Sequence, residues 1–257
     1  MRLKSLNFKL RCVFIICLGL LAFTTNLYAK ANPKVLIFFK EVGDYHHTSI
    51  PAGIKAIIKL GEENAFDVDT TTNVENFTDE NLKQYSAVIF LNTAGEVLEE
   101  DQQAAFQNYI KGGGGFVGIH SATNTGLEWN WYGRLVGAYY KSHPDVQPAI
   151  LKIVDPTHLA TKDLPLVWKR TDEWYNFSWY NDDIKFLIVI DEGSYGGGRN
   201  GGQHPVSWYH TFDGGRSFYT ALGHTEESYT EPLFLKHLLG GIEYAMGRKA
   251  NERSNAR

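Results

Sequence analysis

Apolar runs alternate with amphipathic stretches through the first half of the chain. Lys34-Val-Leu-Ile-Phe-Phe39 is continuous and predicts a strand buried on both faces. The polar segment Glu41–Ser49 follows. Ile50–Glu63 then carries Ile54, Ile57, Ile58 and Gly61 at helical spacing, with Pro51 in the first turn. Phe66–Thr71 alternates and predicts a second strand. Thr78–Lys83 reads as a short helix capped by Thr78, and Ser86–Leu91 as a third, buried strand. Glu99–Lys111 is helical up to the glycine run Gly112–Gly115, and Phe116–Ile119 is a fourth strand. Strand and helix alternating at short spacing predict an α/β fold, with a parallel sheet covered by helices on both faces and chemistry at the carboxyl ends of its strands.

The second half is less regular. Val146–Val154 and Phe186–Asp191 read as strands. Val206–Thr211 and Arg216–Leu222 flank Phe212-Asp-Gly-Gly215, a hairpin signal, and Pro232–Met246 is the last helix. The glycine-rich stretch Gly193–Gly202 reads as a flexible loop. It lacks the spacing and the following Lys-Ser/Thr of a phosphate loop, so no nucleotide is expected.

The chain begins with a basic segment (Arg2, Lys4, Lys9, Arg11) and a twelve-residue apolar run, Cys12–Phe23, followed by small-residue cleavage options after Ala29 or Ala31. This layout predicts a secretory signal peptide over residues 1–29 and a periplasmic or secreted product. An uncleaved anchor is the alternative, although the run is short for a span. Residues 30–250 then form one domain, and residues 251–257 a polar tail. Cleavage removes four basic residues and no acid from a chain of 25 basic and 29 acidic residues, shifting the formal charge from −4 to near −8. The acidic balance argues against a nucleic-acid partner, and the mature form carries no membrane segment. Both cysteines, Cys12 and Cys17, lie in the removed segment, which excludes thiolate catalysis, disulfides and cysteine-held metal.

Four segments place histidine or acid where strands end: Tyr45–Ile50, Gly118–Ala122, Asp172–Phe177 and Leu222–Glu226. His120 follows a buried strand directly and precedes small residues, the layout of an elbow that projects a side chain into a cleft. It reads as base, electrophile or metal ligand. His47 reads as ligand or base, while Ser49 caps the next helix and His46 is exposed. Glu173, among aromatics, is either an acid/base group or half of a salt bridge. Trp174 and Tyr175 either stack on a sugar ring or belong to the core. His224 with Glu226 is a possible His-x-Glu pair. His143, His204 and His210 are weaker candidates, and His158 and His237 are structural or surface residues.

At Lys34–Phe39, His47–Ile50, Gly113–Ser121, His143-Pro144, Asp172–Phe177, Pro205–Trp208 and Gly215–Tyr219 running into Leu222-Gly-His224, the sequence resembles the ThuA-like, trehalose-utilisation family. That family lies within the class I glutamine amidotransferase-like superfamily. The resemblance implies a flavodoxin-like three-layer sandwich with a mainly parallel sheet. His120 stands where an amidotransferase has its catalytic cysteine, so glutamine hydrolysis by a thiolate is excluded. Family context implies a small-molecule sugar substrate, in particular disaccharides or glycosides processed through 3-keto derivatives. A 3-keto group acidifies the C2 hydrogen, so one base can start β-elimination of the glycoside. The expected catalytic set is His47, His120, Glu173 and His224. Asp172, Trp174, Tyr175 and His143 are expected on the substrate side, and His47, His120 and His224 as ligands of a divalent metal such as zinc. Two alternatives stay open: a non-catalytic carbohydrate-binding protein, and a metal-dependent hydrolase of an ester or amide.

Overall fold

The computed structural model describes residues 31–248; the expected export segment with both cysteines, and the polar tail, lie outside the described residues. The chain runs β1 (Lys34–Phe38), α1 (Ile50–Glu63), β2 (Asp67–Thr71), α2 (Asp79–Leu82), β3 (Ala87–Leu91), α3 (Glu100–Lys111), β4 (Gly115–Ile119) and α4 (Asn130–Val136). It continues through β5 (Ala138–Ser142), β6 (Gln147–Ile153), β7 (Val167–Asp172), β8 (Asn176–Tyr180), β9 (Lys185–Ile190), β10 (His204–Phe212), β11 (Gly215–Thr220) and α5 (Pro232–Ala245). No described helix is long and apolar enough to cross a membrane.

The main sheet has nine strands in the order β2-β1-β3-β4-β11-β10-β9-β6-β7. Pairing is parallel from β2 to β11. It is antiparallel from β11 to β7. The parallel half is the α/β sandwich that the apolar runs predict, and every residue of β3 and β4 is buried. Phe106 of α3 packs against Phe90 and Phe116 on one face. On the other, α5 lies so close that a Cβ on Gly241 would come within 2.1 Å of the Phe218 ring. Thr78 caps α2 as expected, accepting the Asn81 N–H at 3.2 Å.

Elements α4, β5, β7 and β8 are not foreseen from the sequence. β5 and β8 form a separate two-stranded sheet with broken register, which blurs any alternating pattern. Ser49 does occupy the N-cap of α1, but its hydroxyl caps nothing; it donates to the Gly223 carbonyl at 3.3 Å and accepts from Asn92 at 3.1 Å. The Gly193–Gly202 stretch is not a loose loop. Gln147 brackets Gly196 with bonds of 2.9 and 3.0 Å. Asn176 binds the Gly197 carbonyl and the Arg199 N–H, and Glu192 accepts from Asn200 and Gly201. Amide and carboxylate side chains thus restore the order that the glycines alone do not impose.

Running antiparallel strands out to β7 returns its carboxyl end to the edge where β1, β4 and β11 also end. Four inter-strand steps separate β7 from β11, roughly 19 Å in a flat sheet. Asp172 at the end of β7 nevertheless accepts the Gly223 N–H just past β11 at 2.9 Å. The antiparallel half therefore curls back over the strand ends.

His237 of α5 is fully buried, with Nδ1 on the Ala160 carbonyl at 2.9 Å and Nε2 on Thr220 Oγ1 at 3.2 Å. Burial pulls its imidazole down to about 3. Below the ordinary histidine value the unfolded chain takes a proton that the native chain refuses, so stability falls as pH drops from about 6.5 towards 3, by about 1.4 kcal/mol per pH unit for this group. Thermal melting across pH 4–7 should show this decline, and His237→Gln should flatten it.

Candidate active site at the carboxyl ends of the strands

From β1 the chain passes to β2 on one side and then returns to β3 on the other, so the crevice beyond β1 and β3 is the switch point of the sheet. The segment after β1 enters it. Glu41, paired with Ala94 in an isolated bridge, accepts the His47 N–H at 3.1 and 3.2 Å and the His47 Nδ1 at 2.5 Å. His47 is thereby fixed at 7% exposure, with Nε2 left as the ring nitrogen that carries a lone pair.

His120 follows β4 in the left-handed region at φ +50°, a conformation that only a tight elbow imposes on histidine. It is fully buried. Its carbonyl accepts the Tyr219 hydroxyl at 2.7 Å, its ring packs 4.3 Å from that of Tyr175, and Nδ1 donates to the Ala221 carbonyl at 2.8 Å. A carbonyl only accepts, so Nδ1 carries a proton and Nε2 is the ring nitrogen turned to the crevice. His224 Nδ1 faces that Nε2 at 3.1 Å.

Glu173 completes the cluster. Its Oε2 lies 3.3 Å from His120 Nε2 and 3.4 Å from His224 Nδ1, and its Oε1 lies 3.0 Å from His143 Nδ1. Asp172 stands behind, fully buried. It accepts the N–H groups of Glu173 at 2.9 Å, Gly223 at 2.9 Å and His224 at 3.2 Å. Arg170 neutralises it at 3.0 Å and is itself held by Ser228 at 2.7 Å. One carboxylate therefore sets the backbone position of both Glu173 and His224.

The cluster opens into a cleft of about 300 Å³ whose walls include Tyr45, Tyr140, His143, Tyr175 and Ser121. A larger hollow of about 490 Å³ lies at the opposite, amino ends of β3 and β4. Its Arg216 is spent on the carbonyls of Ala245 and Gly113, and no histidine lines it, so the chemistry belongs to the smaller cleft.

His47, His120, Glu173 and His224 thus meet, with His143 at the exposed rim and Tyr175 in the wall. Asp172 and Trp174 do not reach the cleft. Asp172 has both oxygens occupied by the protein, and Trp174 is fully buried with Nε1 on the Gln147 carbonyl at 2.8 Å, so neither can contact a sugar. The His-x-Glu pairing is not formed: Glu226 is exposed, and the carboxylate beside His224 is Glu173. His204 is buried against Glu192 at 2.8 Å, and His210 against the Leu135 carbonyl at 2.8 Å. His158 stacks on Tyr209. Sequence reasoning misses Glu41, whose signal is an acid six residues before His47 in the same loop, and Tyr140, which sits on the unforeseen β5.

The donor set suits a divalent ion. One ligand atom from each of His47, His120 and His224 lies within 4.8 Å of the others. Two ring nitrogens facing each other at 3.1 Å need a proton or a cation between them. Burial, and then the charge of His120, lowers His224 to about 4. Burial likewise lowers His47 against the opposing Glu41 carboxylate. Both rings are therefore neutral near pH 7, the form that binds metal. Burial pushes the Glu173 carboxyl up, but the hydrogen bond and charge of His120, with His224 and His143, outweigh it and hold Glu173 below its ordinary value.

Among known structures, the chain is similar to a putative ThuA-like protein from Bacteroides uniformis, with 25% identity and a TM-score of 0.74 over 87% of this chain and 96% of that one. A second putative ThuA-like protein, from Parabacteroides merdae, is 22% identical with a TM-score of 0.70 over 85% of this chain and 92% of the other. A β-galactosidase from Bacillus circulans sp. alkalophilus shares the fold alone, at 13% identity and TM-score 0.57, over 87% of this chain but 32% of its own. No curated protein sequence matches. The family model for trehalose utilisation matches residues 34–245, nearly all of the described chain, and the protein belongs to that ThuA family.

Proposed function

We propose that the protein is an exported enzyme acting on a sugar derivative, and that it works by proton abstraction beside a carbonyl. The observation that carries this reading is the convergence of Glu173, one ionised carboxylate, with three histidines on an aromatic-walled cleft. Ordinary glycosidases need two free carboxylates across the substrate. Here Glu41 is committed to His47 and Asp172 to backbone N–H groups, which leaves Glu173 as the base. Family membership supports a sugar, and the export layout of residues 1–29 supports a periplasmic or secreted site of action.

A 3-keto glycoside fits this single base. Glu173 takes the proton from C2, the C2–H electrons form the C1=C2 double bond, and the C1–O bond breaks as the departing alcohol oxygen gains a proton. His143 at 3.0 Å holds Glu173 in line and is placed to pass that proton at the exposed rim. Tyr45, Tyr140 and Tyr175 form the aromatic wall beside which a sugar ring would lie. His47, His120 and His224 would hold a divalent ion such as zinc, which when bound supplies Lewis acidity for the developing negative charge.

The test uses p-nitrophenyl 3-keto-glucosides of both anomers with the purified mature protein. Glu173→Gln should lower kcat by about 10²–10⁴-fold while metal content stays at the wild-type level. Loss of metal in that variant would make Glu173 a ligand instead. Binding without turnover by the wild type would make the protein a carbohydrate-binding module.

A further inference from the structure

The turn His120–Asn124 contributes one group that the proposed chemistry does not use. Ser121 is 1% exposed, and its Oγ has no hydrogen-bond partner. The Thr123, Thr125 and Ser49 hydroxyls are spent within the protein: Thr123 on Tyr219 at 3.1 Å, Thr125 on Thr93 at 2.8 Å and Ser49 on the Gly223 carbonyl at 3.3 Å. Ser121 has no such partner, and it lines the cleft alongside Glu173 and His47. A buried hydroxyl without a partner lowers stability, and an alanine of nearly the same shape would avoid that penalty. A group that weakens the free protein and belongs to a residue of the cleft wall is suited to a partner that arrives with the ligand.

We propose that Ser121 is a substrate-contacting residue whose hydroxyl hydrogen-bonds a hydroxyl or carbonyl oxygen of the bound sugar. The assignment rests on the cleft being a sugar site. A serine hydroxyl both donates and accepts, which suits a polyhydroxylated ligand. Because the contact is buried, it discriminates strongly against an analogue that lacks the matching oxygen. The small residue needed after the His120 elbow thus also reads the substrate.

Ser121→Ala tests this through three readouts. Melting temperature should equal or exceed that of the wild type, because no native hydrogen bond is removed. Zinc stoichiometry should be unchanged. For p-nitrophenyl 3-keto-glucosides, kcat/KM should fall about 10–100-fold, and the defect should vanish for the monodeoxy probe that lacks the contacted oxygen. Unchanged kcat/KM, or a melting temperature lowered by several degrees, would overturn the assignment. If the wild type turns over neither anomer, calorimetric titration with the same probes separates the two ideas. Binding weakened tenfold or more by Ser121→Ala keeps the contact and sinks the turnover reading; equal binding, or none by the wild type, overturns the contact.

Discussion

His120→Ala is expected to abolish divalent-metal binding and turnover together. His120 Nε2 faces His224 Nδ1 at 3.1 Å and Glu173 Oε2 at 3.3 Å, so its removal opens the centre of the cluster. Zinc affinity should fall by about 100-fold or more, since loss of a mere supporting partner already costs about 10–100-fold. Turnover of 3-keto-glucosides should fall at least as far as in Glu173→Gln. The fold should survive, because His120 lies just past the end of β4, and alanine keeps the Cβ at this left-handed position and leaves the sheet intact. Inductively coupled plasma measurement of metal, beside circular dichroism and kinetics, checks all three. A variant that keeps one equivalent of metal would remove His120 from the ligand set.

Asp172→Ala should have the second-largest effect, and it should appear in stability as well as activity. Three backbone N–H groups and the Arg170 guanidinium converge on this one buried carboxylate. Arg170 already has Nε and Nη1 without partners, so it would be left between Trp168 and Phe234 with only the more exposed Glu231 carboxylate, at 3.4 Å, to balance its charge. Breaking a buried pair of this kind costs about 3–5 kcal/mol. For a domain of this size that is a fall of roughly 10 °C in melting temperature. Asp172→Asn keeps one carbonyl oxygen for the N–H groups and should lose less. Because Glu173 and His224 both lose their backbone anchor, metal binding should weaken in Asp172→Ala even at temperatures where it is folded. Wild-type zinc affinity in the folded variant would show that Asp172 supports the fold without setting the site.

The parallel half of the fold is legible because β1, β3 and β4 are short continuous apolar runs, and few other structures bury such runs on both faces. His120 is legible for the same reason: a polar residue directly after a buried strand has to sit at the sheet edge. The separate two-stranded sheet resists reading because β5 and β8 pair with broken register. Asp172 and Trp174 mislead for a different reason. An acid and an indole next to Glu173 look like substrate contacts until Arg170, Gly223 and the Gln147 carbonyl, distant in sequence, are seen to occupy them. Long-range partners also decide His224, whose carboxylate comes from Glu173 and not from Glu226 two residues away. Local spacing locates the residues at the strand ends, whereas the curl of the antiparallel half decides which of them meet.

The most direct test of the account is the fate of the hydrogen at C2. Metal-loaded protein is mixed with a p-nitrophenyl 3-keto-glucoside in D2O, and the sugar product is followed by proton NMR at early times beside an enzyme-free control. Proton abstraction by Glu173 predicts loss of the C2 protium in the newly formed product, faster than in the control and suppressed in Glu173→Gln. Release of p-nitrophenol with the C2 protium retained would contradict it, and would mean that the glycosidic bond breaks by direct displacement with this cluster in another role.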